Sequence, residues 1–420
     1  MDITISSILI FVATFFGLFV SIFYLLTTFS PNKKEFSKKI KYYPKITIVI
    51  PVWNEGSANG ERIRKTISSL FNADYPKDKL EIIIVDDGST DNSLKIAKEY
   101  ISKGVRVLSN KKSLGKTLAV NKGMKFATGE LVAALDADSF IMPDVLKKMI
   151  PAFNNPNVMA AIPSIKIWKP KSLLQKIQFV EFLSAVFVRH LQSQLGAVHL
   201  APGAFTLVRK SFLDKYGRLD YKTMVEDLEL SLRIQSHNYL IETIVDANVY
   251  TSGVKTFKAF ERQRLRWFIG FLMQIWDYRR LFNKKYGNLG VFILPISVFF
   301  VVLSLVLFVF TVLKSTVDGI NLIRDYLLSG INLHTLLEWK FDFFFITISN
   351  KTLIPVLLLI ITFLFMYYVK KISNEKQHLF WNLILFTFTY WVLGPYCWVK
   401  AIIYKVFKIK VKWGPNYFLR

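Results

Sequence analysis

Residues Ile3 to Asn32 carry no charged side chain, and roughly 20 apolar residues are enough to cross a bilayer as a helix. This stretch argues against a freely soluble chain. No basic segment precedes it and no small-x-small pattern follows it, so it reads as a retained span and not as a cleaved leader. Lys33, Lys34, Lys38, Lys39, Lys41 and Lys45 follow against the single acid Glu35, which by the positive-inside rule places that side in the cytoplasm and the N-terminus outside. Three further uncharged stretches come late: Tyr286 to Leu313, Thr352 to Val369 and Leu379 to Val399. The connection with Asp318, Asp325, Glu338 and Asp342 reads as external, and Lys370-Lys371 as internal. The tail, with Lys400, Lys405, Lys408, Lys410, Lys412, Arg420 and no acid, also reads as internal. Three simple spans would leave it outside. Either Gly394-Pro395 breaks the last stretch into a re-entrant pair, or the aromatic run Phe341 to Ile348 helps form another crossing.

Between these stretches lies a long polar region, so a mixed architecture is expected from 52% apolar residues. The net charge of +25 favours anionic partners. Because the cations cluster beside spans and do not form a stripe among exposed aromatics, lipid headgroups fit better than nucleic acid. Cys397 is the only cysteine, which excludes an internal disulfide and any multi-cysteine metal site.

The polar region alternates strand and helix patterns. KITIVIPVWNE, EIIIVDDGSTD, VRVLSN and LVAALDADS are short β-branched or apolar runs, with helical stretches from about Gly60 to Phe71 and through KTLAVNKGMKFA. Runs of this kind suit strands buried on both faces, wound as right-handed βαβ units in a parallel sheet. Ligands of such sheets sit beyond the carboxyl ends of the strands, which is where Asn54-Glu55, Asp86-Asp87 and Asp136-Ala137-Asp138 fall. Three acidic clusters in one crevice repel unless a cation neutralises them; a divalent metal carrying a diphosphate is the simplest occupant. The competing reading is that these residues only cap the helices that follow. Neither GxGxxG nor GxxxxGK[ST] occurs. Gly115-Lys116 opens a helix, where the lysine can meet a phosphate or simply be solvated.

Further on, LQKIQFVEFLSAVFVRHLQSQLG is too polar to span and reads as an interfacial helix or as one packed under the soluble domain. VHLAPGAFTLVRK places Pro202-Gly203 in a turn between strand-like runs. MVEDLELSLRIQ starts a helix with Glu226 and Asp227 in its first turn, where the helix dipole stabilises carboxylates. FKAFERQRLRWFIGFLMQIW puts Phe257, Phe260, Trp267, Phe268, Phe271 and Ile275 near one face and Arg262, Arg264 and Arg266 toward others, the pattern of a basic surface anchor.

The order PVWNE, VDDGSTD, GKTLAVNKG, DAD, PGAF, VED, QRLRW, followed by spans, resembles the membrane-embedded family 2 glycosyltransferases, above all the synthases of hyaluronan, chitin, cellulose and poly-N-acetylglucosamine. The tail VKWGPNYFLR is similar to the basic tryptophan-containing end of the last type. QRLRW, fitting QxxRW, is the most specific element. The resemblance covers about Pro44 to Trp267 plus the membrane layout. It implies an α/β fold: a GT-A-like, mostly parallel sheet domain on the cytoplasmic side, with interfacial amphipathic helices and an all-α transmembrane part. The division expected is an N-terminal transmembrane helix at 1–32, the GT-A domain at 44–250, the QxxRW region at 251–285, C-terminal transmembrane helices at 286–405 and a basic cytoplasmic tail at 406–420.

By the same resemblance Pro51, Glu55, Asp86, Asp87 and Lys116 match positions that hold the uracil, ribose and diphosphate of a UDP-sugar. Asp136 and Asp138 match the DxD that meets Mg²⁺ or Mn²⁺ and the diphosphate. Asp227 matches the general base, and Gln263, Arg266 and Trp267 the motif that closes over the diphosphate and shapes the acceptor end. One departure is Val225, where the synthases carry a polar residue. The expected function is an inverting, processive polymerisation of a β-linked, hexosamine-containing polysaccharide from a UDP-sugar, passed across the cell membrane. The alternative is transfer of one sugar to a membrane lipid. The expected partners are the donor, a growing polysaccharide or lipid acceptor, membrane lipids and a second copy of the chain.

Overall fold

The computed structural model describes residues 5–29, 39–329, 350–409, 411–413 and 416–418. They form two compact units: Met1–Phe29 with Ile296–Phe365, and Ser30–Pro295 with Met366–Arg420. Helix α1 (Ile5–Thr28) opens the first unit.

The second unit is built on a sheet. β1 (Ile46–Val52), α2 (Glu61–Phe71), β2 (Leu80–Asp86), α3 (Ser93–Lys98), β3 (Arg106–Ser109), α4 (Lys116–Lys125) and β4 (Leu131–Leu135) follow the expected alternation. Then come β5 (Phe140–Ile141), α5 (Val145–Met149), β6 (Val158–Ile167), α6 (Leu173–Gln194), β7 (Phe205–Arg209), α7 (Lys210–Tyr216), α8 (Glu226–Ser236), β8 (Leu240–Thr251) and α9 (Phe257–Asp277). The strand order is β3-β2-β1-β4-β7-β6-β8-β5. The β3-β2-β1-β4 half is wholly parallel. In the other half β7 is antiparallel to β4 and β6, β8 is parallel to β6, and β5 is antiparallel to β8.

The β1 side chains show why the runs are apolar on both faces. Ile46, Ile48, Ile50 and Val52 enter one core cluster and Val49 the opposite one, the period of two expected of a strand covered on both sides. Of the two strand-like runs expected around Pro202-Gly203, only Phe205–Arg209 forms a strand. The VHLA run is held instead in extended loop, with Val198 accepting from Gln235 Nε2 and the Ala201 N–H donating to Ser231 Oγ.

After α9 come α10 (Leu294–Ser329), α11 (Asn350–Ile372), α12 (Phe380–Val406), β9 (Val411–Trp413) and β10 (Asn416–Phe418). Among the described residues three helices are long and apolar enough to cross a membrane: Ile5–Thr28, Leu289–Leu328 and Leu353–Ile372. The second, at 40 residues, exceeds what a bilayer core requires, and its polar part begins where Lys314 pairs with Asp318 at 3.0 Å. The first unit has its own aromatic contact, Phe16 edge-on to Phe299 at 4.6 Å between centroids.

The stretch Leu379–Val399, expected as a further span, is not among these three helices. It lies in α12, which runs unbroken through Gly394-Pro395, so the expected break is absent. A proline costs a helix one internal hydrogen bond, but tertiary contacts retain this one. Trp398 stacks on Phe268 of α9 with centroids 4.0 Å apart, and Glu261 of α9 meets Lys400 and Tyr396 at 2.7 and 2.6 Å. The run Phe341 to Ile348 lies outside the described residues.

Candidate active site

The loops after β1 and β2 are sewn together. Thr90 N–H donates to Asn54 Oδ1 at 2.8 Å, Glu55 N–H to Ser93 Oγ at 2.8 Å and Gly56 N–H to Asp91 Oδ2 at 2.7 Å. Gly88 has φ +70, and a Cβ there would lie 2.6 Å from the Lys112 carbonyl carbon. Only glycine lets DDGSTD approach the 110–115 loop so closely.

The adjacent carboxylates Asp86 and Asp87 have different roles. Asp87 accepts from Asn110 Nδ2, Ser113 Oγ and the Leu114 and Gly115 N–H groups, so it holds the loop that launches α4. Asp86 Oδ2 accepts from the Ser89 N–H at 3.3 Å, whereas its Oδ1 is buried with no hydrogen-bond partner among the described residues. A buried acceptor left open at a strand end suits an incoming N–H donor. Pro51 is the penultimate residue of β1, opposite Val85, and Glu55 is paired with Arg62 at 3.6 Å. Burial raises the Glu55 carboxyl, with Arg62 opposing and Asp91 and Asp136 adding to the rise.

Lys116, the first residue of α4, reaches Asp136 Oδ1 at 2.5 Å and the Gly203 carbonyl at 3.4 Å. Burial works against its charge, but Asp136 and Glu226 outweigh it and hold the ammonium above the usual lysine range. Asp138 is pushed up to about 6 by burial and by the charges of Asp136 and Glu55, with Lys116 opposing. Among the described residues no three acidic or histidine side chains gather as a metal site, so any cation here would rest on Asp136 and Asp138 alone. The oxygen donors of Asp136 and Asp138 fit a hard divalent cation, which commonly takes its remaining ligands from phosphate and water.

On the far side Gly203 N–H donates to Asp227 Oδ2 at 2.9 Å, and Leu228 N–H to Asp227 Oδ1 at 2.8 Å. Lys116, Gly203, Glu226 and Asp227 line one small pocket. Glu226 is buried, and burial raises its carboxyl, Asp227 adding to the rise while Lys116 and Arg266 oppose it. Arg266 of α9 donates to the Met224 carbonyl at 3.2 Å, which ties the QxxRW helix to the start of α8. Val225 also has a packing reason: it is buried, and a Cβ on Gly270 would come within 2.5 Å of its Cγ2.

The expected separation of aromatic and arginine faces on α9 does not hold. Phe257 is exposed, whereas Arg264 is 1% exposed. Its guanidinium is paired with Glu181 of α6 and lies over the Trp267 ring, so an ion pair reverses the burial that amphipathicity alone implies. α6 itself packs under the sheet, with Phe179, Val180, Leu183 and Val186 fully buried. Gln263 bonds Gln178 and Arg264, and Trp267 packs near Phe182. Among the described residues neither bonds to Asp136, Asp138, Glu226 or Asp227. A cleft of about 570 Å³ beside Asp138, lined by Arg62, Lys65, Trp168 and Lys255, was not foreseen. Lys65 sits over Phe140 and Trp168 there.

Residues 47–217 match the sequence profile of Glycosyl transferase family 2. The chain is 28% identical over 404 residues to the probable glycosyltransferase YdaM of Bacillus subtilis, covering 92% of this chain and 90% of that protein. It is 30% identical over 265 residues to the poly-beta-1,6-N-acetyl-D-glucosamine synthase of Staphylococcus epidermidis, 60% of this chain and 63% of the relative. With a beta-monoglucosyldiacylglycerol synthase of Nostoc it shares 29% over 258 residues, 60% of this chain and 54% of the relative. In fold it is similar to a mannosyltransferase of Pyrobaculum calidifontis solved with GDP-Man and Mn²⁺, at a TM-score of 0.54 and 21% identity over 65% of this chain and 74% of that one.

Proposed function

We propose that this glycosyltransferase, whose residues 47–217 match the family 2 profile, polymerises a β-linked, hexosamine-containing polysaccharide from a UDP-sugar. We place the reaction at the cytoplasmic face of the cell membrane, with the product passed outward. The observation that carries the reading is that Lys116, Gly203, Glu226 and Asp227 line one pocket, with Asp136 paired to Lys116 and Arg266 of the QxxRW helix bonded to Met224 just before Glu226.

Each residue has a task in an inverting transfer. Asp227, oriented by two backbone N–H groups, accepts the proton of the acceptor hydroxyl as the bond to the sugar forms. Lys116 and Arg266 stabilise charge on the departing diphosphate, and Asp86 Oδ1 accepts an N–H of the base. Asp136 and Asp138 would hold Mg²⁺ or Mn²⁺, which when bound neutralises diphosphate oxygens. Trp267 offers an apolar face to the acceptor ring. With one candidate span before the catalytic region and two after it, we read the basic tail on the same side as the catalytic domain, with α12 against that domain; the tail's positive charge supports this reading.

The likeness to a lipid glucosyltransferase supports a second reading, transfer of one sugar to a membrane lipid. Incubating the purified protein in lipid with a panel of UDP-sugars and Mg²⁺ or Mn²⁺, then sizing the product, separates the two. A ladder of sugars supports polymerisation, and a single glycolipid supports the second reading.

A further inference from the structure

Arg264 stands at the first unspecified position of QxxRW, and the roles assigned above leave it unused. A buried guanidinium is costly unless it is paired and hydrogen-bonded, and here it is bound on several sides at once. It pairs with Glu181 of α6, lies 4.5 Å from the Phe260 ring centre and 4.2 Å from that of Trp267, and donates to Gln263 Oε1 at 2.9 Å. The other oxygen of Glu181 accepts the Tyr390 hydroxyl of α12 at 2.7 Å.

These contacts fix more than packing. An arginine can only donate, so Gln263 must turn its carbonyl oxygen toward Arg264. From the other side Val254 N–H donates to Gln178 Oε1 at 2.8 Å, which leaves Gln178 Nε2 to donate to the same Gln263 oxygen at 2.9 Å. The Gln263 oxygen is thus engaged twice. Its Nε2 has no protein partner among the described residues, so Gln263 can offer a ligand only a donor. The same guanidinium holds the face of Trp267.

We propose that Tyr390, Glu181 and Arg264 act as one positioning unit, through which α12 sets the orientation of Trp267 and Gln263 against the acceptor without touching substrate. The assignment rests on the glycosyltransferase reading above. A pair retained for stability alone would leave the chemistry unchanged when cut, whereas a positioning unit would affect the partition of the activated sugar between acceptor and water.

The test compares wild type with Tyr390→Phe, Glu181→Gln and the double variant in lipid. The readouts are UDP affinity and the sugar transferred per UDP released. Tyr390→Phe removes one hydroxyl and keeps the ring. The expected result is UDP affinity within about twofold of wild type, transfer per UDP reduced at least about threefold in each single variant, and no further loss in the double, since linked residues are non-additive. If Glu181→Gln does not fold, Tyr390→Phe alone decides. Unchanged coupling, additive losses, or a matching fall in UDP affinity would overturn the assignment. A wild type that releases no nucleoside diphosphate from any UDP- or GDP-sugar would overturn the glycosyltransferase reading itself, and this assignment with it.

Discussion

Gly203 donates its backbone N–H to Asp227 Oδ2 at 2.9 Å, across 24 residues of sequence. The bond aims the carboxylate from a loop that carries no catalytic side chain of its own. A Cβ at Gly203 would lie 3.0 Å from that oxygen, so Gly203→Ala must displace it by a few tenths of an ångström. Turnover, measured as UDP release, is expected to fall by about tenfold with UDP binding nearly unchanged, because sub-ångström misplacement of a catalytic group is costly. Normal turnover would mean that the contact does not orient the base.

Metal dependence follows from the crowding of Asp136, Asp138 and Glu55. UDP binding is expected to require Mg²⁺ or Mn²⁺, and Asp138→Ala to abolish turnover while the protein stays folded. Calorimetry in chelator checks the first part; unchanged UDP affinity there would contradict it.

Lys166 and Glu375 form a fully buried pair at 3.4 Å, and Lys166 also donates to the Ser373 carbonyl at 2.7 Å. The pair fastens the loop between α11 and α12 to β6. Glu375→Gln leaves a buried cation unpaired and is expected to cost about 3–5 kcal/mol. Burial brings Lys166 down to about 8 against Glu375. Above that pH the folded protein has released a proton that the unfolded chain still binds, so this group's contribution to stability rises with pH from about 8 toward the ordinary lysine value. Without Glu375, which raises it, the buried Lys166 gives up its proton at a lower pH than in the wild type, so the penalty of Glu375→Gln is expected to be larger at pH 7, where the native pair is charged, than at pH 9.5, which denaturation in detergent checks. A pH-independent penalty would contradict it.

The parallel half of the sheet was legible because its strands are short apolar runs ending in Asp or Asn, and both β1 and β2 keep that pattern. β6 and β8 were not singled out. β6 contains Pro163 and two alanines, and β8 carries Glu242, Asp246 and Asn248, so neither run stands out by composition. Asp86 and Asp87 looked alike in sequence; only the fold shows that Asp87 is occupied by its own loop. Arg264 was misplaced for the same reason, since its burial depends on Glu181, 83 residues earlier. Glu181 did give a signal, as a single acid in an apolar helical stretch. The α12 contacts were hidden because an uncharged run reads as a span whether it faces lipid or protein.

We propose Asp227, and not the adjacent Glu226, as the base. Asp227 is held by two backbone N–H groups, whereas Glu226 is buried beside Lys116 and Arg266. Steady-state UDP release by Asp227→Asn and Glu226→Gln, with UDP binding measured alongside, tests it most directly. Expected are intact UDP binding in Asp227→Asn, a loss of turnover of roughly 10²–10⁴-fold as for a lost general base, and a smaller loss in Glu226→Gln. Near-normal release by Asp227→Asn, or a larger loss in Glu226→Gln, would contradict it.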